Sequence, residues 1–271
     1  MAEPLPVEIS AALHATTDRR GPFGEPAYFF SDTTSTNDVA AALAERGAPE
    51  GATVIALAQS AGRGRFGRGW FSPPGAGLYV SIVFRDPRAV PLLTLAGGVA
   101  AADGIQAATG LPVSLKWPND VIVEGGVARA GVKWRKLAGV LAEASSSSDG
   151  VQHVVLGIGI NLRPAAYPPE IADRATSIES ELGRIPDTGT VLAETLCVLA
   201  RYADAVHAGT TAALLDRWRA LAPSARGSAV HWSVADGELS GVTAGIDDSG
   251  ALLVRTGERV ERIISGELRW V

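Results

Sequence analysis

The chain has 271 residues, a net charge of −5 from 24 basic and 29 acidic residues, and one cysteine, Cys197. At roughly 150 residues per domain, this length fits one large domain, alone or with a small companion, and the core needs no metal or disulfide. A lone cysteine excludes an internal disulfide framework and paired-cysteine metal or redox centres, and the acidic balance argues against a general nucleic-acid binder. The start, MAEPLPVEIS, lacks the basic and apolar regions of a signal peptide, and the longest apolar stretch (92–102) is interrupted by Thr94, Gly97 and Gly98. A soluble, cytoplasmic protein is expected.

In chain order, a short helix is expected near Glu8–Ala15, then a helix over Thr36–Arg46 with Ser35 or Thr36 as its cap and Gly47 at its end. TVIALAQ (53–59) and GLYVSIVF (77–84) read as strands around a Gly- and Arg-dense loop at 62–69. Residues 91–109 read as a helix weakened in its middle by Gly97 and Gly98. VSLKW (113–117), LAGVLAEA (137–144) and VQHVVLGIGI (151–160) are strands, the last two joined into a hairpin by SSSSDG. The proline-rich stretch 164–187 reads as irregular. Helices follow at 190–207, with Val191, Leu192, Thr195, Leu196, Leu199, Tyr202 and Val206 on one face, and at 211–222. Beyond Pro223 the closely spaced turn signals Asp236-Gly237, Ser249-Gly250 and Thr256-Gly257 predict a small antiparallel barrel, so the domains are placed at 1–223 and 224–271.

Only three lysines occur against 21 arginines, and Lys116, Lys133 and Lys136 fall within 21 residues. Either a compact ammonium is wanted there where a planar fork does not fit, or the clustering is chance. Gly62, Gly64 and Gly67 form a G-x-G-x-x-G, yet WFSPPGAG follows where a dinucleotide fold needs a helix. Arg68-Gly69 stands where a P-loop needs Lys-Ser/Thr. What remains is either a mobile loop whose Arg63, Arg65 and Arg68 can close on a polyanion, or a solvated Gly-Arg loop.

Lys116-Trp117-Pro118-Asn119-Asp120 presents polar groups around a turn beside a Trp able to stack on a base; an ordinary Pro-Asn-Asp turn is the alternative. Lys136 stands at the mouth of an apolar strand ahead of Gly139, and Gly157 and Gly159 leave one strand face flat with Asn161 at the rim. Ser35-Thr36-Asn37 alone reads as helix capping. The four histidines show no metal spacing, and no nucleophile elbow is present.

Taken in order, S-T-N, Q-x-A-G-R-G-R-x-G-R-x-W, K-W-P-N-D, K-L-A-G and G-x-G-I-N over residues 33–163 resemble the biotin–protein ligases. The resemblance implies an α+β fold related to class II aminoacyl-tRNA synthetases, a mixed sheet flanked by helices, with a C-terminal SH3-like barrel. It implies activation of biotin with ATP to biotinyl-5′-AMP, then amide formation with a lysine of a biotin carboxyl carrier domain, as in acetyl-CoA carboxylase. Carried over by the resemblance, Ser35, Thr36, Asn37 and Gln59 contact the ureido ring and its surroundings. Arg63, Gly64 and Arg65 close over biotin and the adenylate phosphate, Arg68 meets the triphosphate, and Trp70 and Trp117 surround the adenylate. Lys116, Asn119, Asp120 and Asn161 handle ATP, with Asp120 holding Mg²⁺. Lys136 bridges the biotin carboxylate and α-phosphate, and Gly139, Gly157 and Gly159 form a close-approach floor.

Three departures stand out. Phe66 replaces a residue often basic in the family. Residues 121–135, with Arg129, Lys133, Trp134 and Arg135, form a long spacer, either a basic hairpin for an acidic carrier or a solvated insert. No N-terminal DNA-binding domain is read, so modification without operator binding is expected. A sheet edge could support a homodimer or carrier docking. Lipoate or octanoate handling and a non-catalytic biotin sensor are the rival readings; the sensor could dispense with Lys136 and Asp120, and both are present.

Overall fold

The computed structural model describes residues 2–86, 90–125, 134–148, 150–234, 237–266 and 268–271. Arg129 and Lys133 of the spacer lie outside the described residues.

A seven-stranded mixed sheet is built from β1 (Ala27–Phe30), β2 (Thr53–Ala56), β3 (Gly77–Phe84), β4 (Ser114–Lys116), β5 (Asp120–Glu124), β6 (Trp134–Ser147) and β7 (Gly150–Asn161). Its order is β1-β2-β3-β7-β6-β5-β4, with β1 and β2 parallel and every other pair antiparallel. The apolar run of β3 is buried throughout, as expected of a central strand covered on both faces. β2 stops at Ala56, short of the expected Gln59. β1 and β5 were not expected from the sequence.

Helices cover the two faces unequally. α4 (Val90–Thr109) lies against the face carrying Val140 and Leu156, and α7 (Thr188–His207) packs on α4. The glycines thought to weaken α4 act in close packing. A β-carbon on Gly97 would stand 2.9 Å from Val140 Cγ1, and one on Gly104 2.6 Å from Thr195 Cα of α7. The expected face of α7 is buried in full. α8 (Ala212–Leu221) joins this layer, where Arg217 makes a bidentate pair with Asp103 of α4. α1 (Val7–Ala15) and α2 (Thr17–Arg20) pack on α7. On the opposite face α3 (Thr36–Glu45) buries Ala40 and Ala44 in a cluster with Val54, Val83 and Val155, leaving the rest of that face for the site. The stretch read as irregular holds two short helices, α5 (Pro169–Ala172) and α6 (Ile178–Leu182).

After a 3₁₀ turn at Pro223–Ala225, β8 (Arg226–Val234), β9 (Gly237–Ile246), β10 (Leu252–Thr256), β11 (Arg259–Ile263) and β12 (Leu268–Trp270) form an antiparallel sheet of order β11-β10-β9-β8-β12. The turns at Ser249-Gly250 and Thr256-Gly257 fall between strands as expected; Asp236 lies outside the described residues. No pairing joins β11 to β12 among the described residues. It is tied to the larger sheet through Trp117, whose indole N–H donates to the Gly250 carbonyl at 3.0 Å.

Candidate active site

A single register row crosses five strands: Lys116 pairs with Asp120, Asp120 with Gly139, Gly139 with Gly159, and Gly159 with Tyr79. The row lies in a cavity of about 600 Å³, a volume suited to a small-molecule ligand. Every candidate residue named from the sequence lines this cavity: Ser35, Thr36, Asn37, Gln59, Arg63, Gly64, Arg65, Arg68, Trp70, Lys116, Trp117, Asn119, Asp120, Lys136, Gly139, Gly157, Gly159 and Asn161.

One end is a neutral polar nest at the start of α3. No side chain of Ser35 caps this helix; instead Gln59 Oε1 accepts from the Thr36 N–H at 2.8 Å and its hydroxyl at 3.1 Å. Gln59 Nε2 in turn donates to Ser72 Oγ at 3.1 Å. The Ser81 hydroxyl, on β3 opposite Gly157, lies 2.8 Å from Thr36 Oγ1 and 2.6 Å from Asn37 Oδ1. Asn37 Nδ2 donates to Glu143 Oε2 at 2.6 Å, and the same oxygen accepts from Arg63 at 2.9 Å. Arg63 also pairs with Asp38 at 2.7 Å. Glu143 and Ser81 escaped the sequence reading, although Ser81 shares strand parity with Tyr79, and Glu143 with Gly139.

The glycine floor carries the protein's own side chains. A β-carbon on Gly157 would overlap the Asn37 amide, and one on Gly159 would stand 2.6 Å from Trp70 Nε1. A β-carbon on Gly139 would likewise meet the Trp70 ring, at 2.8 Å from Cζ3. The Trp70 indole N–H is buried and has no acceptor among the described residues. The segment read as a loop is a tight hairpin. Trp70 N–H bonds Gly62 O at 2.8 Å, Gly64 N–H bonds Arg68 O at 2.7 Å, and Arg68 N–H closes on Arg65 O at 3.3 Å. Phe66 (φ 58°, ψ 37°) and Gly67 (φ 71°) make the turn one of I′ hand, and the Phe66 ring is 62% exposed with the Arg65 guanidinium 4.8 Å from its centroid.

The other end is cationic. Lys136 Nζ lies 2.5 Å from Asp120 Oδ1 and 4.9 Å from the Trp70 ring centroid, and Lys116 Nζ lies 3.7 Å from Asp120 Oδ2. Lys136 and Gly139 are three residues apart and would face opposite ways in a regular strand. A bulge at Leu137 resolves this: Val121 pairs with Ala138 but Ile122 with Lys136, so both residues reach the cavity. Burial lowers the Lys116 pKa; Asp120 opposes this, and the nearby positive charges of Lys136 and Arg174 add to it. Burial also lowers Arg65, partly offset by Asp120. Tyr79 and Tyr167, both lining the cavity and both missed from sequence, are raised to about 12 by burial and remain neutral donors.

Three candidates sit in structural roles. Trp117 is only 2% exposed, its indole N–H engaged by Gly250. Asn119 donates to Val140 O at 2.8 Å, and Asn161 to Thr176 O at 2.9 Å, each pinning a loop to the sheet. Asp120 is the one carboxylate among the described lining residues, and no group of three or more His, Cys, Asp or Glu able to hold a metal occurs among the described residues. No helix among them is long and apolar enough to cross a membrane.

Residues 29–161 match the model of the Biotin/lipoate A/B protein ligase family, and residues 227–268 that of the Biotin protein ligase C terminal domain. The chain is 35% identical over 251 residues to the Bifunctional ligase/repressor BirA of Bacillus subtilis, covering 90% of this chain and 74% of that one. It is 36% identical over 231 residues to the Biotin--[acetyl-CoA-carboxylase] ligase of Paracoccus denitrificans, covering 82% of this chain and 91% of that one. Among solved structures it is similar to a biotin protein ligase from Aquifex aeolicus in complex with biotin and ATP, with a TM-score of 0.76, 28% identity, and coverage of 90% of this chain and 98% of that one.

Proposed function

The chain belongs to the biotin protein ligases, and from that premise we propose how its cavity carries the reaction. The enzyme joins biotin to ATP and then transfers it. In the first step a biotin carboxylate oxygen bonds to the α-phosphorus while the bond from that phosphorus to the bridging oxygen breaks, releasing pyrophosphate. In the second an amine attacks the biotinyl carbonyl, AMP leaves, and the amine proton is lost.

The observation that carries the assignment is the polarity of the cavity: a neutral nest at Asn37, Thr36 and Ser81, and a cationic end at Lys136 and Lys116. The ureido ring needs matched donors and acceptors and carries no charge, so it fits the nest of Ser35, Thr36, Asn37 and Gln59. Its carboxylate then points along the glycine floor toward Lys136. Two anions about 4 Å apart at an effective dielectric of 20 repel by about 4 kcal/mol. The ammonium of Lys136 between them, with the Arg65 guanidinium beside them, turns that repulsion into attraction. Arg63 and Gly64 close the biotin side; Arg68 and Trp70 face the nucleotide, and Asn119 and Asn161 serve it by holding the loops that border the cavity. Trp70 supplies an aromatic face and an unused N–H. Tyr79 and Tyr167 stay neutral, so the floor adds no negative charge against the phosphates.

The donor set suits Mg²⁺, which takes one or two carboxylates and completes its shell with phosphate oxygens and water. Asp120 would supply the carboxylate, and the ion, when bound, neutralises charge on the departing pyrophosphate. The acceptor is a lysine of a biotin carboxyl carrier domain, as the name of the Paracoccus relative suggests, and the reaction belongs in the ATP-supplied cytoplasm. We place the division of the chain at 223/224, within the 3₁₀ turn before β8. A homodimer would use an exposed sheet edge, and sedimentation would reveal it.

The deciding experiment is ATP–pyrophosphate exchange with purified protein and Mg²⁺, offering biotin, lipoate, octanoate or no acid. Exchange with biotin alone is the expected result. Biotin binding without exchange would favour a sensor and overturn the role of Lys136.

A further inference from the structure

Lys116 ends a three-residue edge strand, a position from which a lysine ordinarily extends into water on a flexible stem. Here its side chain is 12% exposed and its ammonium is surrounded on three sides. Nζ lies 4.3 Å from the ring centroid of Trp134, 5.7 Å from that of Trp270, and 3.7 Å from Asp120 Oδ2. The two indoles come from separate parts of the molecule. Trp134 opens β6, where the bulge at Leu137 puts it on the cavity face with Lys136. Trp270 lies in β12 of the C-terminal sheet and also lines the cavity.

We propose that Trp134 and Trp270 are positioning residues that clamp the Lys116 ammonium at the nucleotide end of the cavity, so that the C-terminal sheet completes the phosphate-binding half of the site. This rests on the reading above that Lys116 serves the nucleotide. Two ammonium groups share one carboxylate here, Lys136 on one oxygen of Asp120 and Lys116 on the other. Their mutual repulsion favours swinging Lys116 out to solvent, leaving one positive charge balanced by one negative. Two π faces attract the ammonium and shield it from water, an interaction that strengthens with desolvation. Held in place, Lys116 gives this end a net positive charge, which is what a polyphosphate requires.

The test is steady-state ATP–pyrophosphate exchange with biotin and Mg²⁺, read as KM for ATP and kcat, alongside biotin affinity without nucleotide. The variants are Trp134→Leu, Trp134→Phe, Trp270→Leu, Trp270→Phe and Lys116→Met. Each leucine variant should raise KM for ATP about tenfold, the loss of one partly buried cation–π contact. Each phenylalanine variant, which keeps a π face, should stay within about threefold of wild type. Biotin affinity should stay at the wild-type value in all four. In the Lys116→Met background the tryptophan changes should have no further effect on KM, since their action runs through the ammonium. Phenylalanine and leucine variants equally impaired, or a matching loss of biotin affinity, would mean plain packing and overturn the clamp. Lys116→Met impaired while the tryptophan variants match wild type also overturns it, with the nucleotide role of Lys116 intact. A Lys116→Met enzyme with wild-type KM for ATP removes that role and the clamp together.

Discussion

A β-carbon on Gly157 has no space, because the Asn37 amide already lies against that α-carbon, hydrogen-bonded to Ser81 and Glu143. Gly157→Ala should therefore displace Asn37 and raise the biotin dissociation constant by about tenfold, the loss of a neutral hydrogen bond to the ureido ring. Isothermal titration would show it, and unchanged affinity would remove Asn37 from the ureido contact. Lys136 is argued to act on the reacting atoms themselves. Lys136→Ala should slow adenylate formation at least ~100-fold in a single turnover, comparable to removing one preorganised charge contact. A near-normal rate would transfer the charge-bridging role to another cation of the cavity, such as Arg65. Residue chemistry of this kind was legible in the sequence, since rare lysines and spaced glycines mark themselves. The partners of those residues were not: Glu143 and Ser81 are ordinary strand residues that the register sets against Asn37, and Tyr167 reaches the cavity from a loop with no period to read.

At the scale of elements, the arm at 62–70 is a hairpin whose turn asks for positive φ at both central positions. Gly67 meets that demand without strain, whereas Phe66 at φ 58° carries an aromatic side chain in a conformation costing on the order of 1–2 kcal/mol. Phe66→Asn should relieve that strain and slow proteolytic cutting of the arm in the ligand-free enzyme. In the wild type, biotin plus ATP should give the same protection. Cutting of the variant at the wild-type rate would show that the turn does not govern opening. From the sequence the arm looked like a loose loop because its composition is Gly and Arg; a two-residue hairpin is set by backbone pairing that composition does not display. β3, α4 and α7 were legible because long apolar runs or a helical stripe specify them. β1 is four residues long and β5 begins inside the turn chemistry of Trp-Pro-Asn-Asp, so neither offered a period to read.

For the molecule as a whole, the loop between β9 and β10 couples the C-terminal sheet to the larger one. Gly250 accepts the Trp117 indole, and Asp247 organises the loop by accepting from Ser249 and Ala251 and pairing with Arg262. Burial works to raise the Asp247 carboxyl, but the Arg262 and Ser249 hydrogen bonds and the amides of Ala251 and Ser249 outweigh it, lowering it from 3.8 to about 2. A depressed folded pKa stabilises fully above the unfolded value and is lost as pH falls through the folded one. The sheet contact should therefore weaken between about pH 4 and pH 2, and Asp247→Asn should flatten the acid limb of stability in that window. An acid limb identical in wild type and variant would dismiss the loop as the sensor. The bulge beside Lys136 has a different kind of consequence. Leu137 is the residue the ladder skips, and because it is skipped Lys136 and Gly139 share a face despite an odd spacing. Drawing Leu137 into the ladder opposite Ile122 would restore plain alternation and turn the ammonium toward α4, whereas deleting it would leave Lys136 two residues from Gly139 and still on the cavity face. A relative one residue shorter here would therefore keep its lysine over the same floor, without the local kink and added twist that the extra residue gives the strand.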